Sequence, residues 1–123
     1  MSGRKLFLDT NIILYLLNGD ETLAELLNMK QLYISVITEI ELLGFNGINT
    51  EDEKIIKEFI SQCKVININE KIKDETIRLR KKYHIKIPDC LIIATALYLD
   101  LPLISSDSGF KKVEELFLIQ YEK

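Results

Sequence analysis

Five short, nearly unbroken apolar runs punctuate this chain, and they restrict its fold more than any other feature. They are Lys5-Leu6-Phe7-Leu8, Leu32-Tyr33-Ile34, Val65-Ile66-Asn67-Ile68, Leu101-Pro102-Leu103-Ile104-Ser105 and Phe117-Leu118-Ile119. A strand with water on one face alternates apolar and polar residues; a run without alternation marks a strand covered on both faces, the habit of parallel sheets. The segments between the runs carry helical period and helical punctuation. Asp9-Thr10-Asn11 is a turn and cap signal before the helix Ile12–Leu17, and Asn18-Gly19 stops it. Asp20 caps a short helix carrying Leu23, Leu26 and Leu27, and Ser35 caps another from Val36 to about Phe45. Gly47 to Asn49 is a loop, after which Thr50 and Glu53 pair as a capping box ahead of Ile55, Ile56, Phe59 and Ile60. Glu70 to Tyr83 gathers Ile72, Thr76, Leu79 and Tyr83 on one face and charges elsewhere, so it lies on the surface. The helix opened by Ile87-Pro88-Asp89 and running through Leu99 is apolar nearly all round, hence buried. A short helix around Phe110 to Leu116 leads to the last run. No Asn-Gly or Asp-Gly turn joins two paired runs, which argues against hairpins. This order predicts an α/β fold: a three-layer α/β/α sandwich with a central parallel β-sheet, residues 1–123 forming one domain.

A chain of 123 residues is long enough for a core without staples. Cys63 and Cys90 stand alone, with no CxxC and no Cys/His cluster, which argues against a zinc site and a disulfide scaffold. His84 is the single histidine and reads as a loop residue, which argues against a Ser-His-Asp arrangement and a His-rich metal site. The net charge of −3 exerts no overall pull towards nucleic acid. Asp9, Asp20 and Asp100 interrupt the greasiest stretches, and no run approaches the roughly 20 residues of a membrane span. Met1-Ser2-Gly3-Arg4-Lys5 is basic, but Asp9 follows too soon for a signal-peptide core, so the expected compartment is the cytoplasm. Any chemistry must be carried mainly by carboxylates.

Ligands of open parallel sheets bind beyond the carboxyl ends of the strands. Asp9 closes the first run, Asp107 follows the fourth, and Asp89 begins the buried helix. Singly, each is an ordinary helix-start residue. Together at one edge they repel, and a hard cation such as Mg²⁺ or Mn²⁺ relieves the repulsion. The helix after Ser35 offers a fourth acid. Its apolar stripe centres near Ile40, leaving Glu39 and Glu41 about equally placed on either side.

Here the residues carry a resemblance. Leu8-Asp9-Thr10-Asn11 resembles the opening motif of PIN-domain nucleases. Ser35-Val36-Ile37-Thr38-Glu39-Ile40-Glu41-Leu42 is similar to their second motif, in which the glutamate before the leucine is the acidic one, and that points to Glu41. Pro88-Asp89-Cys90-Leu91-Ile92-Ile93-Ala94-Thr95-Ala96 resembles the third, and Leu103-Ile104-Ser105-Ser106-Asp107 with Phe110 the fourth. The order matches from Lys5 onward, and the closest subgroup is the compact VapC-type toxins of toxin–antitoxin pairs. Two departures stand out: Ser105 replaces a frequent threonine, and Gly109 sits where some members carry a further acid.

The resemblance implies a PIN-like fold and metal-dependent hydrolysis of RNA phosphodiesters. It implies Asp9, Asp89 and Asp107 as catalytic ligands of Mg²⁺ or Mn²⁺, with Glu41 acting directly or through water. Thr10, Asn11 and Ser105 become candidates for orienting the carboxylates or the phosphate, although each also suits a helix start. Ser106 and Cys90 read as structural. A cognate antitoxin and a homodimer are the implied partners; the very apolar helices Ile12–Leu17 and Leu23–Leu27 read first as core packing, with a surface for either partner as the alternative. For RNA contacts the candidates are Arg78, Arg80, Lys81, Lys82 and Lys86, with Arg4-Lys5 a smaller group; a solvated helix face is the plain alternative. Two rivals follow from the same residues: a scaffold that binds without cutting, and a phosphatase using Asp9. Asn11 stands where that phosphatase needs its second aspartate.

Overall fold

A computed structural model describes residues 4–123; Met1, Ser2 and Gly3 of the basic start lie outside the described residues. Strands β1 (Lys5–Leu8), β2 (Gln31–Ser35), β3 (Lys64–Ile66), β4 (Leu103–Ser105) and β5 (Leu118–Gln120) form one sheet in the order β3-β2-β1-β4-β5. Every pairing is parallel, with Phe7 opposite Tyr33 on one side and Leu103 on the other. Successive strand residues point to opposite faces, and two separate cores result. Phe7, Tyr33 and Leu103 pack with α5 (Glu70–Tyr83) and α6 (Ile87–Leu99) through Ile72, Leu79, Ile92 and Ile93. Leu6, Leu8, Ile34 and Ile104 pack on the other face with α1 (Thr10–Leu17), α2 (Glu21–Leu27) and α4 (Thr50–Ser61), through Ile12, Ile13, Leu23, Ile56 and Ile60. The expected three-layer α/β/α sandwich is therefore present. None of these helices is long and apolar enough to cross a membrane.

Several local expectations need correction. The cap of α4 is Asn49, whose side chain accepts from Asp52 N–H at 2.7 Å; Thr50 is already helical, so no Thr50–Glu53 capping box forms. An amide oxygen one residue earlier satisfies the same free donor. The segment after β4 is a 3-10 turn, Ser108–Lys112, and not a helix from Phe110 to Leu116; Asp107 starts it by accepting from Gly109 N–H at 2.8 Å. Strand β3 ends at Ile66 because Asn69, which caps α5 through Ile72 N–H, needs a turn before it. Strand β4 starts only at Leu103, since Pro102 has no N–H for a ladder, and β5 starts only at Leu118.

The site-forming helix α3 (Val36–Leu43) departs most from its periodicity. It buries Thr38 and Leu42 and leaves Ile40 58% exposed, so the stripe does not centre on Ile40. A hydroxyl held by a neighbouring hydroxyl takes the inward position that an isoleucine was expected to fill.

Chain order places the functional edge. From β1 the sheet grows one way through β2 and β3, then crosses over so that β4 and β5 add on the other side. The carboxyl ends of β1 and β4, neighbours in space, form the switch point where such sheets bind ligands.

Candidate active site

Asp9 is the first residue beyond β1 and the N-cap of α1. Its backbone N–H extends the ladder to Ile104 O at 3.1 Å, and the residue is only 5% exposed. Oδ1 accepts from Thr10 N–H at 2.8 Å and Oδ2 accepts from the Ser105 hydroxyl at 2.7 Å. Burial pushes its pKa up; those two hydrogen bonds oppose the shift, and the nearby Asp107 and Glu41 add to it. The Ser105 oxygen also accepts from Asp107 N–H at 3.0 Å, so one fully buried hydroxyl joins the tips of β1 and β4.

Glu41 reaches the same edge from α3. The Thr10 hydroxyl donates to Glu41 Oε1 at 2.7 Å and lies 3.0 Å from the Thr38 hydroxyl. Thr10 has one hydroxyl proton, so Thr38 is the donor in that second contact, giving a relay from Thr38 through Thr10 to Glu41. The structure thus brings Glu41 into the site, as the motif resemblance implies. Asp89 lies in the first turn of α6 and makes no side-chain hydrogen bond among the described residues. Burial, then Asp9, Asp107 and Glu41 in turn, raise its pKa to about 6, and Lys86 alone opposes them. Asp107 caps the 3-10 turn through Oδ1. A Cβ at Gly109 would meet that oxygen at 3.0 Å, so the acid some relatives carry there would crowd Asp107.

The four expected acids therefore share one edge, and the charges of Asp107 and Glu41 bear on the ionisation of Asp9 and Asp89. Their donor set is all oxygen, the set a hard divalent cation takes. Among the described residues no group of three acidic, cysteine or histidine side chains is arranged to enclose an ion unaided. A Mg²⁺-type ion fits that arrangement, because it keeps several waters and takes only one or two carboxylates. Asp89, with both oxygens free of hydrogen bonds, is the most available ligand, and Asp107 retains Oδ2.

Asn11 is exposed on α1 and its side chain bonds to nothing among the described residues. Ser106 meets the Tyr15 hydroxyl at 3.3 Å. Cys90 is buried with its thiol 3.3 Å from Ile85 O, a packing role. The basic cluster divides. Arg78 bridges Glu75 and Glu115, each at 2.7 Å, and Arg80 donates to Ile85 O at 2.8 Å. Lys82 stands over the Tyr83 ring, and Lys81 is exposed on α5. Lys86 alone of the group lines the cleft beside Asp89 and Asp107, and Lys112 joins it there. Sequence reasoning missed Lys112, Thr38 and Tyr15. Thr38 had a signal, four residues before the buried Leu42; Lys112, one of the adjacent pair Lys111-Lys112, had none.

Ser105→Ala is expected to cost about 1.5–3 kcal/mol at neutral pH, the worth of a hydrogen bond to a charged group. Ser105→Thr is expected to keep it. Denaturant unfolding with an unchanged m-value checks this; an alanine variant within about 0.5 kcal/mol of the parent would refute the role given to the hydroxyl.

The family model named PIN domain matches residues 6–116. The chain belongs to the PIN domain family. Among solved structures, this PIN domain resembles a chain of a toxin–antitoxin complex from Klebsiella pneumoniae, with 29% identity, a TM-score of 0.84, and coverage of 96% of this chain and 99% of that one. It also resembles VapBC-1 from nontypeable Haemophilus influenzae, at 28% identity and TM-score 0.76, covering 94% of this chain and 97% of the other. DNA-bound VapBC from Salmonella typhimurium, at 21% identity, TM-score 0.84 and coverage of 94% and 97%, shares the fold. Comparison with curated proteins finds no match. The four motifs thus pointed to the right family, and the VapC-type resemblance holds over nearly the whole PIN domain.

Proposed function

We propose that this PIN domain is a divalent-metal-dependent endoribonuclease and the toxin of a toxin–antitoxin pair. The observation that carries the reading is the gathering of Asp9, Glu41, Asp89 and Asp107 at the switch point of a parallel sheet, with pKa values pushed upward at Asp9 and Asp89. Capping accounts for Asp9 and Asp107 singly, but carboxylates crowded at one edge repel one another, and a cation among them relieves that repulsion. Asp89 and Asp107 would hold that Mg²⁺ or Mn²⁺ directly, with Asp9 and Glu41 supporting through their free lone pairs or through water. When bound, such an ion acidifies a water and offsets charge developing on the phosphoryl oxygens.

The chain's own residues do the positioning. Ser105 and Thr10 N–H hold both oxygens of Asp9, and the Thr38–Thr10 relay aims Glu41. With both oxygens engaged, Asp9 is a poor candidate for the free nucleophile that a phosphatase requires. Asn11, exposed at the same edge, is left to meet substrate.

An antitoxin is the natural partner, given that the similar structures are toxin–antitoxin complexes. Its proposed seat is the apolar groove of Leu14, Leu17, Phe45, Ile55 and Ile56 between α1 and α4, where Leu14, Phe45 and Ile55 are exposed. A homodimer is proposed as well, supported by a second apolar groove of Ile68, Ile77, Ile87 and Leu91 between α5 and α6. Sedimentation at high concentration is expected to show the dimer, and a clean monomer would remove it.

The central test incubates antitoxin-free protein with a structured RNA pool in Mg²⁺ or Mn²⁺, and again with chelator. Cleavage that requires metal and leaves 5′-phosphate ends is expected. Folded, metal-loaded protein that cuts no RNA in the pool would favour a PIN scaffold that binds without cutting.

A further inference from the structure

The cleft between the start of α6 and the 3-10 turn holds about 190 Å³ and is lined by Ile85, Lys86, Asp89, Asp107, Phe110 and Lys112. Each of its two acids has a lysine near it in the chain. Lys86 is the N-cap of α6, ahead of Asp89, and Lys112 ends the turn that Asp107 begins. The two lysines come from different elements, and both line the cleft. Both are exposed, and neither joins an ion pair among the described residues. The apolar floor is Ile85 and Phe110, both buried, so no aromatic face is presented on which a base could stack. α6 also starts without a side-chain cap hydrogen bond, and Asp89 is the one acid of its first turn.

A polyanion approaching four carboxylates is repelled, and charge at the rim must offset this. We infer that Lys86 and Lys112 form a two-sided clamp on the RNA phosphodiester backbone, gripping the phosphates that flank the one lying at Asp89 and Asp107. This rests on the ribonuclease reading and adds the path of the strand, across the cleft from the 3-10 turn to the start of α6. It also narrows the basic cluster, because Arg78 and Arg80 are committed to Glu75, Glu115 and Ile85 O. Two point charges on the backbone set register and affinity but not base choice. The clamp is therefore indifferent to sequence.

The test uses Asp9→Asn protein in chelator, so that RNA stays intact, and follows binding of a fluorescent single-stranded oligonucleotide over a range of salt. Each lost phosphate contact lowers the slope of log Kd against log salt by about 0.7 for single strands. Lys86→Gln and Lys112→Gln are each expected to lose about that much, and the double variant about 1.4. Arginine at either position is expected to restore the slope, and Lys54→Gln on α4 to leave it unchanged. Thermal melts of the exposed-lysine variants confirm their fold. A double variant with the parental slope, while the unmutated protein still cuts RNA, overturns the clamp alone. An unmutated protein that neither cuts nor binds RNA overturns both readings.

Discussion

Asp9→Asn is expected to slow single-turnover RNA cleavage by on the order of 10³ while the fold survives, because removing one preorganised charge from such a site typically costs about that factor. The substitution is nearly isosteric. An oxygen still accepts from Thr10 N–H, and the Ser105 hydroxyl, now facing an amide, turns from donor to acceptor. Burial and two neighbouring acids already disfavour the Asp9 charge, so a neutral side chain relieves the metal-free protein. Its melting temperature in chelator is therefore expected to equal or exceed the parent's. Asp89→Asn and Asp107→Asn should behave alike, since each removes a negative charge from the same cluster. The decisive pairing is rate and melt on one sample. A variant that melts like the parent and cuts within about tenfold of it would show that the acid edge is not the catalytic centre.

The metal-free protein is expected to lose stability as pH rises from about 4 to 7, the reverse of an ordinary carboxylate-rich domain. An unperturbed aspartate titrates near 3.9, whereas Asp89 titrates at about 6 in the fold and Asp9 is also raised. Between those values the native state binds more protons than the unfolded chain, so stability falls with rising pH and levels off above the folded pKa. Glu115 pulls the other way: hydrogen bonds from its own backbone, Tyr83 and Arg78 hold it down at about 2, so its contribution is present above its unfolded pKa and fades in acid. Asp20 and Glu75, also held down by hydrogen bonds, reinforce Glu115 in acid, so the decline is clearest between about pH 5 and 7. Mg²⁺ or Mn²⁺ should reverse the decline. At a hundred times its dissociation constant an ion adds about 2.7 kcal/mol, and it should add little at pH 5, where protons occupy Asp89. Melting curves at pH 5 and 7, with and without metal, check both halves. Equal metal increments at the two pH values would sink the account, as would an Asp89→Asn variant whose pH profile matches the parent's.

Much of this was legible in one dimension. Unbroken runs such as Leu6-Phe7-Leu8 mark doubly covered strands, because the residues pointing to the two cores alternate along β1 yet all are apolar. The motif acids Asp9, Asp89 and Asp107 were visible because strand ends and helix starts are readable from cap chemistry. What stayed hidden depended on tertiary partners. Thr38 is buried through its contact with Thr10, which no periodicity within α3 could reveal, and the exposed Ile40 misled for the same reason. Arg78 and Lys82 belong to a dense run of charge, but Glu115 claims one and the Tyr83 ring the other. Lys112 reaches the cleft only because the chain bends into a 3-10 turn.

The contact between the Ser105 hydroxyl and Asp9 spans 96 positions of the chain. Asp9 is synthesised 96 positions ahead of the hydroxyl that holds its second oxygen and waits for it while everything between them is made. Strand β4, which carries Ser105 to that place, follows α1 to α6 in the chain and pairs with β1 only after they have been made. Domains fold from the N-terminus as they are made, yet here the last fifth of the chain supplies Asp107, Lys112 and the bracing of Asp9. A polypeptide cut short before Ser105 therefore lacks both the brace on Asp9 and the carboxylate of Asp107.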